Sequence, residues 1–346
     1  MPRGRLLVAL ALVGLAGVTA AIAWPSGERE FREPRDLADL ASRVDRAVRA
    51  ARDDAVPQVA VAIVHRGRVA WTRGYGGATA ATPFQVGSIS KPVAALGVLR
   101  LARARRISLD AQLSLRGWRT PRGVTLRRLL SHTAGLSVGG YQGLDPARPL
   151  PSTLDELQGR GEGPPVAAED APGERLRYSG GGYTVAQLWA EQTSGRPFAA
   201  FMGSTTLRPL GMARSTFAQT RPPGAAVAHD VDGDPIPSYR YAGLAAAGLW
   251  STAEDLGRFL AFTVSDDPLA RAMRRPAPGT GGAWGLGLER HELPVGRTLI
   301  EHDGVNRGWH ARIAAEPGSG WGVAVMTNSD AGGKVADAAT AELLSG

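Results

Sequence analysis

The chain has 346 residues, 43% hydrophobic and 21% charged, which is ample for the packed core of one large domain or two average ones. Its formal net charge is +8, yet the arginines are spread along the chain without the basic–aromatic interleaving or modules of nucleic-acid binders, so no nucleic-acid partner is inferred. There is no cysteine, which excludes disulfides, thiolate chemistry and lipidation of an N-terminal cysteine.

Arg3 and Arg5 precede Leu6 to Trp24, a stretch free of charge that contains Ala21-Ile22-Ala23. Residues 1–24 therefore read as an export signal with a small-x-small cleavage site, or as an anchor, because residues 6–24 could also span a bilayer once. On either reading the body is expected outside the cytoplasm, secreted or in the cell envelope. Residues 25–36 read as a charged linker. Leu37, Leu40, Val44 and Val48 then recur at helical spacing. "QVAVAIVH" and "RVAWTRGYG" flank a corner at Gly67 and predict a β-hairpin.

"SISKPVAALGVLRLARARR" carries Val93, Leu96, Leu99 and Leu101 and reads as a helix. From there to about Ser238 the chain mixes short helices with Gly/Pro-rich loops and shows no convincing strand. "STAEDLGRFLAF" predicts another helix, with Ser251 and Glu254 at capping-box spacing. "WGLGLERH", "TLIEHDG", "WHARIAAE" and "WGVAVMTN" read as strands, and a last helix covers about 334–344. Strands joined by short turns pair antiparallel. The expected fold is α+β: an antiparallel sheet built from both chain ends (about 37–80 and 240–346), flanked by helices, with a mostly helical insert at about 81–239.

Two serines could be nucleophiles. "GLSVG" sets Ser137 in a G-x-S-x-G pattern, but the elbow of that pattern needs a strand before the serine and a helix after it. Here a helical segment precedes Ser137 and a loop follows, so the match reads as an accident of a glycine-rich chain. Ser88 is followed at i+3 by Lys91, one of only two lysines among 40 basic residues. A chance S-x-x-K is expected about a tenth of a time in such a chain. Ser88 also lies at a helix start, where free N–H groups can stabilise an oxyanion, with Lys91 one turn on over the same face. A serine hydroxyl attacks a carbonyl only if something takes its proton. Arginine stays protonated, whereas lysine can serve if burial lowers its pKa. A surface lysine on a helix is the other reading of the motif taken alone.

"FQVGSISKP" resembles the first active-site motif of the serine β-lactamase and penicillin-binding-protein superfamily, in particular its class C β-lactamase-like branch of esterases and D-amino-acid peptidases. "RRLLSHTAGL", "PGERLRYSGGGYTVAQLWAEQTSGRPFAAFM", "AGLWSTAEDLGRFL" and "EHDGVNRGWHA" resemble further segments of that family in the same order, over about residues 38 to 344. The resemblance implies that Ser88 is the acylated nucleophile, Lys91 its proton acceptor and Tyr178 the tyrosine that shares the base role and protonates the leaving group. It implies that Gly304 lets substrate lie close to a strand and that the N–H of Val305 joins that of Ser88 as oxyanion donor. Two positions depart from the β-lactamase pattern. Gly180 stands where an asparagine is usual, and His302 replaces the lysine of the Lys-Thr-Gly strand motif, with Arg307 a candidate substitute for the lost charge. His132 reads as a residue that fixes a loop.

The resemblance therefore implies an exported serine hydrolase acting on a carboxylic ester or small acylated compound. A D-amino peptidase or β-lactamase, and a non-catalytic envelope-binding module, are the alternatives. The remaining histidines, His65, His229, His291 and His310, have no metal-site spacing, so neither metal nor cofactor is implied. The expected partner is a small-molecule or peptide substrate.

Overall fold

The computed structural model describes residues 33–344. The segment read as export signal or anchor, and most of the linker, lie outside the described residues. The chain opens with helix α1 (Leu37–Ala51), strands β1 (Val59–His65) and β2 (Arg68–Tyr75), a two-residue strand β3 (Phe84–Gln85) and helix α2 (Ser90–Ala104). Helices α3 (Leu126–Leu130), α4 (Thr153–Leu157), α5 (Gly180–Ser194) and α6 (Phe198–Met202) follow, then the two-residue strands β4 (Ala228–His229) and β5 (Pro235–Ile236). Next come α7 (Leu244–Ala247), β6 (Trp250–Ser251), α8 (Ala253–Thr263) and α9 (Pro268–Arg274). Strands β7 (Glu289–Leu293), β8 (Arg297–Asn306), β9 (Trp309–Glu316) and β10 (Trp321–Thr327) lead to α10 (Gly333–Ala341).

Six strands form one antiparallel sheet in the order β2-β1-β10-β9-β8-β7. Its seam joins the chain ends: β1 pairs with β10 from Val59↔Thr327 to His65↔Trp321. Both strands are apolar on nearly every position because both faces are covered. Val59, Val61 and Ile63 pack with Leu40, Val44 and Val48 of α1 and Val335, Ala336 and Ala339 of α10. Ala60, Ala62 and Val64 turn the other way, into a larger core shared with α8, α2 and α5. Helix α2 is buried from Ser90 to Leu99, which carries Lys91 into the interior.

The α+β architecture is thus as the sequence implies, with three local differences. The cap of α8 is Thr252, whose side chain accepts from Asp255 N, rather than Ser251 with Glu254. Ser251 is taken up by pairing with Phe84 in the short β3–β6 ladder, and its hydroxyl meets Ser215. The run "WGLGLERH" becomes strand only from Glu289, since a Gly-x-Gly sequence accepts a turned backbone as readily as an extended one. The middle region contains strand β3, which pairs with β6 beyond it, and the β4–β5 ladder, all too short to leave a periodic signal. Among the described residues no helix is long and apolar enough to cross a membrane.

Candidate active site

A 3₁₀ turn over Gly87–Ile89 runs directly into α2 and presents Ser88 at the surface of the core. Lys91, 1% exposed, donates from Nζ to Ser88 Oγ at 2.8 Å and to the Ala246 carbonyl of α7 at 3.0 Å. Burial, with no carboxylate to offset it, brings the Lys91 pKa down to about 7. Tyr178, just ahead of α5, is hydrogen-bonded to Ser88, and its ring lies 4.8 Å from Lys91 Nζ. Burial pushes the Tyr178 phenol above its ordinary pKa, and the fields of Asp303 and Glu289 add to this. At neutral pH the phenol therefore keeps its proton while the amine can give one up. A neutral amine 2.8 Å from a serine hydroxyl is poised to accept its proton.

An aromatic wall holds Tyr178. His132 stacks on its ring at 4.3 Å, and Trp284 meets it edge-on at 5.9 Å. His302 lies 6.2 Å from Tyr178 and 5.7 Å from Trp284. His132 Nδ1 accepts from Ser179 N at 3.0 Å, and its carbonyl accepts from Arg177 N, so this residue fixes the backbone on both sides of Tyr178. Burial, and then Lys91 and His302, hold its pKa well below the usual value. His302 Nδ1 lies 2.6 Å from the Asp303 carbonyl, and burial followed by the field of Lys91 takes its pKa down to about 4. The position that is cationic in the lysine version of the motif is therefore neutral here.

Strand β8 is pressed against the turn that bears Ser88. A Cβ on Gly304 would stand 2.1 Å from the Val86 carbonyl oxygen, and one on Gly87 (φ +49°) would stand 2.6 Å from Val305 N. Only glycine at both positions permits this approach, which sets the Val305 N–H beside the Ser88 turn. Asn306 locks the arrangement by donating to Gln85 Oε1 at 2.7 Å and to the Ala247 carbonyl at 3.0 Å.

Gly180 opens α5, and a Cβ there would lie 3.1 Å from the Gly139 carbonyl, so a larger side chain requires that loop to shift. Ser137 bonds backbone: its Oγ accepts from Ala167 N at 2.9 Å, and its carbonyl accepts from Ser179 Oγ at 2.7 Å. It stitches the loop in front of α5, away from any strand-to-helix elbow. Arg307 is exposed, its guanidinium 4.4 Å from the Tyr239 ring centroid. The Ala246 carbonyl, Trp284 and Asn306 were not singled out from the sequence. A backbone carbonyl has no residue signature; Asn306 could have been noticed two positions beyond Gly304.

Among the described residues one grouping has metal-ligand character: Glu289, His291 and Glu301 bring ligand atoms within 4.8 Å of one another. Arg312 takes Glu301 at 2.7 Å and His291 Nε2 lies 2.7 Å from the same carboxylate. Burial opposes charge on His291, but Glu301 and then Glu289 outweigh it and raise the pKa, so with Arg312 the cluster forms an ion-pair network.

Comparison with known proteins bears on the family and the fold. Esterase EstB of Burkholderia gladioli is 28% identical over 263 residues, 60% of this chain and 66% of EstB. Protein flp of Staphylococcus aureus (strain NCTC 8325 / PS 47) is 21% identical over 307 residues, 79% of this chain and 60% of that protein. The chain thus spans 66% or less of the length of these curated relatives. The octameric penicillin-binding protein homologue from Pyrococcus abyssi superposes with a TM-score of 0.72 at 26% identity, covering 89% of this chain and 77% of that one. The family model described as Beta-lactamase matches residues 44–346, and the chain belongs to that family.

Proposed function

We propose that this chain is an exported serine hydrolase that forms an acyl-enzyme on Ser88 and releases it to water. The observation that carries the reading is the 2.8 Å bond from a fully buried Lys91 to Ser88, with no counter-charge on the amine. Ser88 Oγ attacks the substrate carbonyl carbon as its proton passes to Lys91 Nζ. The oxyanion is received by the N–H groups of Ser88 and Val305. The Tyr178 phenol gives its proton to the leaving group as the carbonyl reforms, and the proton on Lys91 restores the phenol. Water then repeats the sequence on the acyl-enzyme, with Lys91 and Tyr178 as the base pair.

An ester or small acylated compound suits the site better than a substrate anchored by its own carboxylate. His302 is uncharged at neutral pH, and Gly180 offers no side-chain amide to an acylamino group of the substrate. The likeness to esterase EstB supports the same preference. The test is intact-mass spectrometry of the soluble body with chromogenic esters, nitrocefin and D-Ala peptides, beside Ser88→Ala and Ser137→Ala. An adduct that forms and disappears with esters, is lost in Ser88→Ala and persists in Ser137→Ala, is expected. A stable adduct without turnover would make this an envelope-binding module, and faster turnover of D-Ala peptides would make it a peptidase.

A further inference from the structure

The loop region 140–166 contains a carboxylate the chemistry above does not use. Glu162 Oε2 accepts from Gly143 N at 2.8 Å and its Oε1 accepts from Ala242 N at 2.9 Å. One side chain thus ties two separate loops, which also pair directly through Leu144 and Arg240. Glu162 is itself held from below: its N–H donates to the carboxylate of fully buried Glu156 at 2.9 Å and 3.2 Å.

The tie to Ala242 leads to the catalytic amine. Ala242 immediately precedes Gly243, the N-cap of α7. The Gln187 side chain grips the same segment by donating to the Ala242 carbonyl and accepting from Ala245 N. Helix α7 is one turn long, with a cap that offers no side-chain bond, so its position depends on these outside contacts. Its Ala246 carbonyl holds Lys91 Nζ, and its Ala247 carbonyl holds Asn306 beside Val305. On this geometry we propose that Glu162 is a positioning residue, whose ionised carboxylate clamps the loop before α7 and so aims the Ala246 carbonyl at Lys91. The proposal rests on the Ser88–Lys91 reading above for its effect on rate, and on the loop geometry alone for its effect on structure.

The clamp needs both oxygens as acceptors. Protonation turns one oxygen into a hydroxyl, a donor and a far weaker acceptor, so the bond to one of the two loop N–H groups is weakened. The groups that face Glu162 do little to keep it ionised. Glu156 lies beneath it, Tyr141 and Tyr241 flank it with phenols raised by burial, Arg240 is turned to the Arg148 carbonyl and Arg160 is paired with Asp155. Burial and then Glu156 raise the Glu162 pKa to about 7, against the two N–H bonds that lower it.

The experiment has two readouts on wild type and Glu162→Gln. The first is the pH dependence of kcat/KM with a chromogenic ester. In wild type two deprotonations, of Lys91 and Glu162, should give an acid limb whose log–log slope exceeds one just below the two pKa values and returns to about one at lower pH, where Glu162 is fully protonated. Glu162→Gln should leave a slope of about one and a plateau lowered roughly tenfold. The second is amide hydrogen exchange of the peptides holding Gly143 and Ala242, corrected for intrinsic rate, at about pH 5.5 and about pH 8.5. Protection should be lower at acid pH in wild type, and low at both pH values in Glu162→Gln. A wild-type slope nowhere above one together with pH-independent protection would overturn the clamp, and neither of those measurements needs the variant to fold. If no substrate is turned over, the hydrolase reading fails, while the exchange data still decide for or against the clamp.

Discussion

Burial without a counter-ion makes Lys91 costly as a cation. Its folded pKa of about 7 lies below the ordinary lysine value of 10.5, so between those values the folded chain binds fewer protons than the unfolded one. Stability should therefore rise with pH across that window, and the penalty is fully present below about pH 7. Lys91→Met removes it, and is expected to stabilise the fold at neutral pH, on the order of 1–3 kcal/mol, while abolishing acylation. Urea unfolding from about pH 6 to about pH 10 checks this: the gain must shrink as pH rises. Lys91→Arg keeps a charge but cannot release a proton, so its acylation rate should fall below about a tenth of wild type. A higher retained rate would reduce Lys91 to electrostatic support. Ser88 and Lys91 are legible in the sequence because their chemistry depends on side-chain type at fixed spacing, whereas Tyr178 is legible only through the family resemblance of the motif around it. The Ala246 carbonyl is not, since every residue carries one and only the fold selects which faces the amine.

Strand β8 and the turn before α2 act as one device. On the proposed mechanism neither element alone supplies both oxyanion donors, and their close contact at Gly304 and Gly87 is what brings the two N–H groups together. Gly304→Ala should force the strand and turn apart, costing roughly 1–3 kcal/mol of stability and about a hundredfold or more in kcat. The measurement is chromogenic-ester turnover on variants shown to be folded by circular dichroism. A rate within about threefold of wild type would mean that the Val305 N–H does not face the oxyanion. At this scale the sequence is informative where a helical period or an apolar run is sustained, as in α1, the β1–β2 hairpin and β8 to β10. It misleads at boundaries decided by tertiary pairing: Ser251 has the right chemistry for a cap, but strand pairing claims it and passes the cap to Thr252.

For the whole molecule, the order of elements along the sequence already implies a sheet closed between the two chain ends, because no strands of comparable length occur between them. What the sequence leaves open is how the loops of 140–166 fold, as these are fixed by individual contacts such as Glu162 with two backbone amides. Export belongs to this scale too. Expressed in a bacterium with residues 1–24 in place, the product should be extracytoplasmic on the export proposal, and N-terminal sequencing should begin at Trp24 or a near neighbour if that segment is a cleaved signal. An intact Met1 with carbonate-resistant membrane association would establish the anchor instead. The pairing of β1 with β10 has a consequence in time. A ribosome adding about 5–20 residues per second leaves the apolar strand Val59–His65 without its central neighbour for roughly 10–50 s, until β10 has been made. For that interval the nascent chain cannot close its sheet and carries an unpaired "VAVAIV" edge, open to pairing with another chain's.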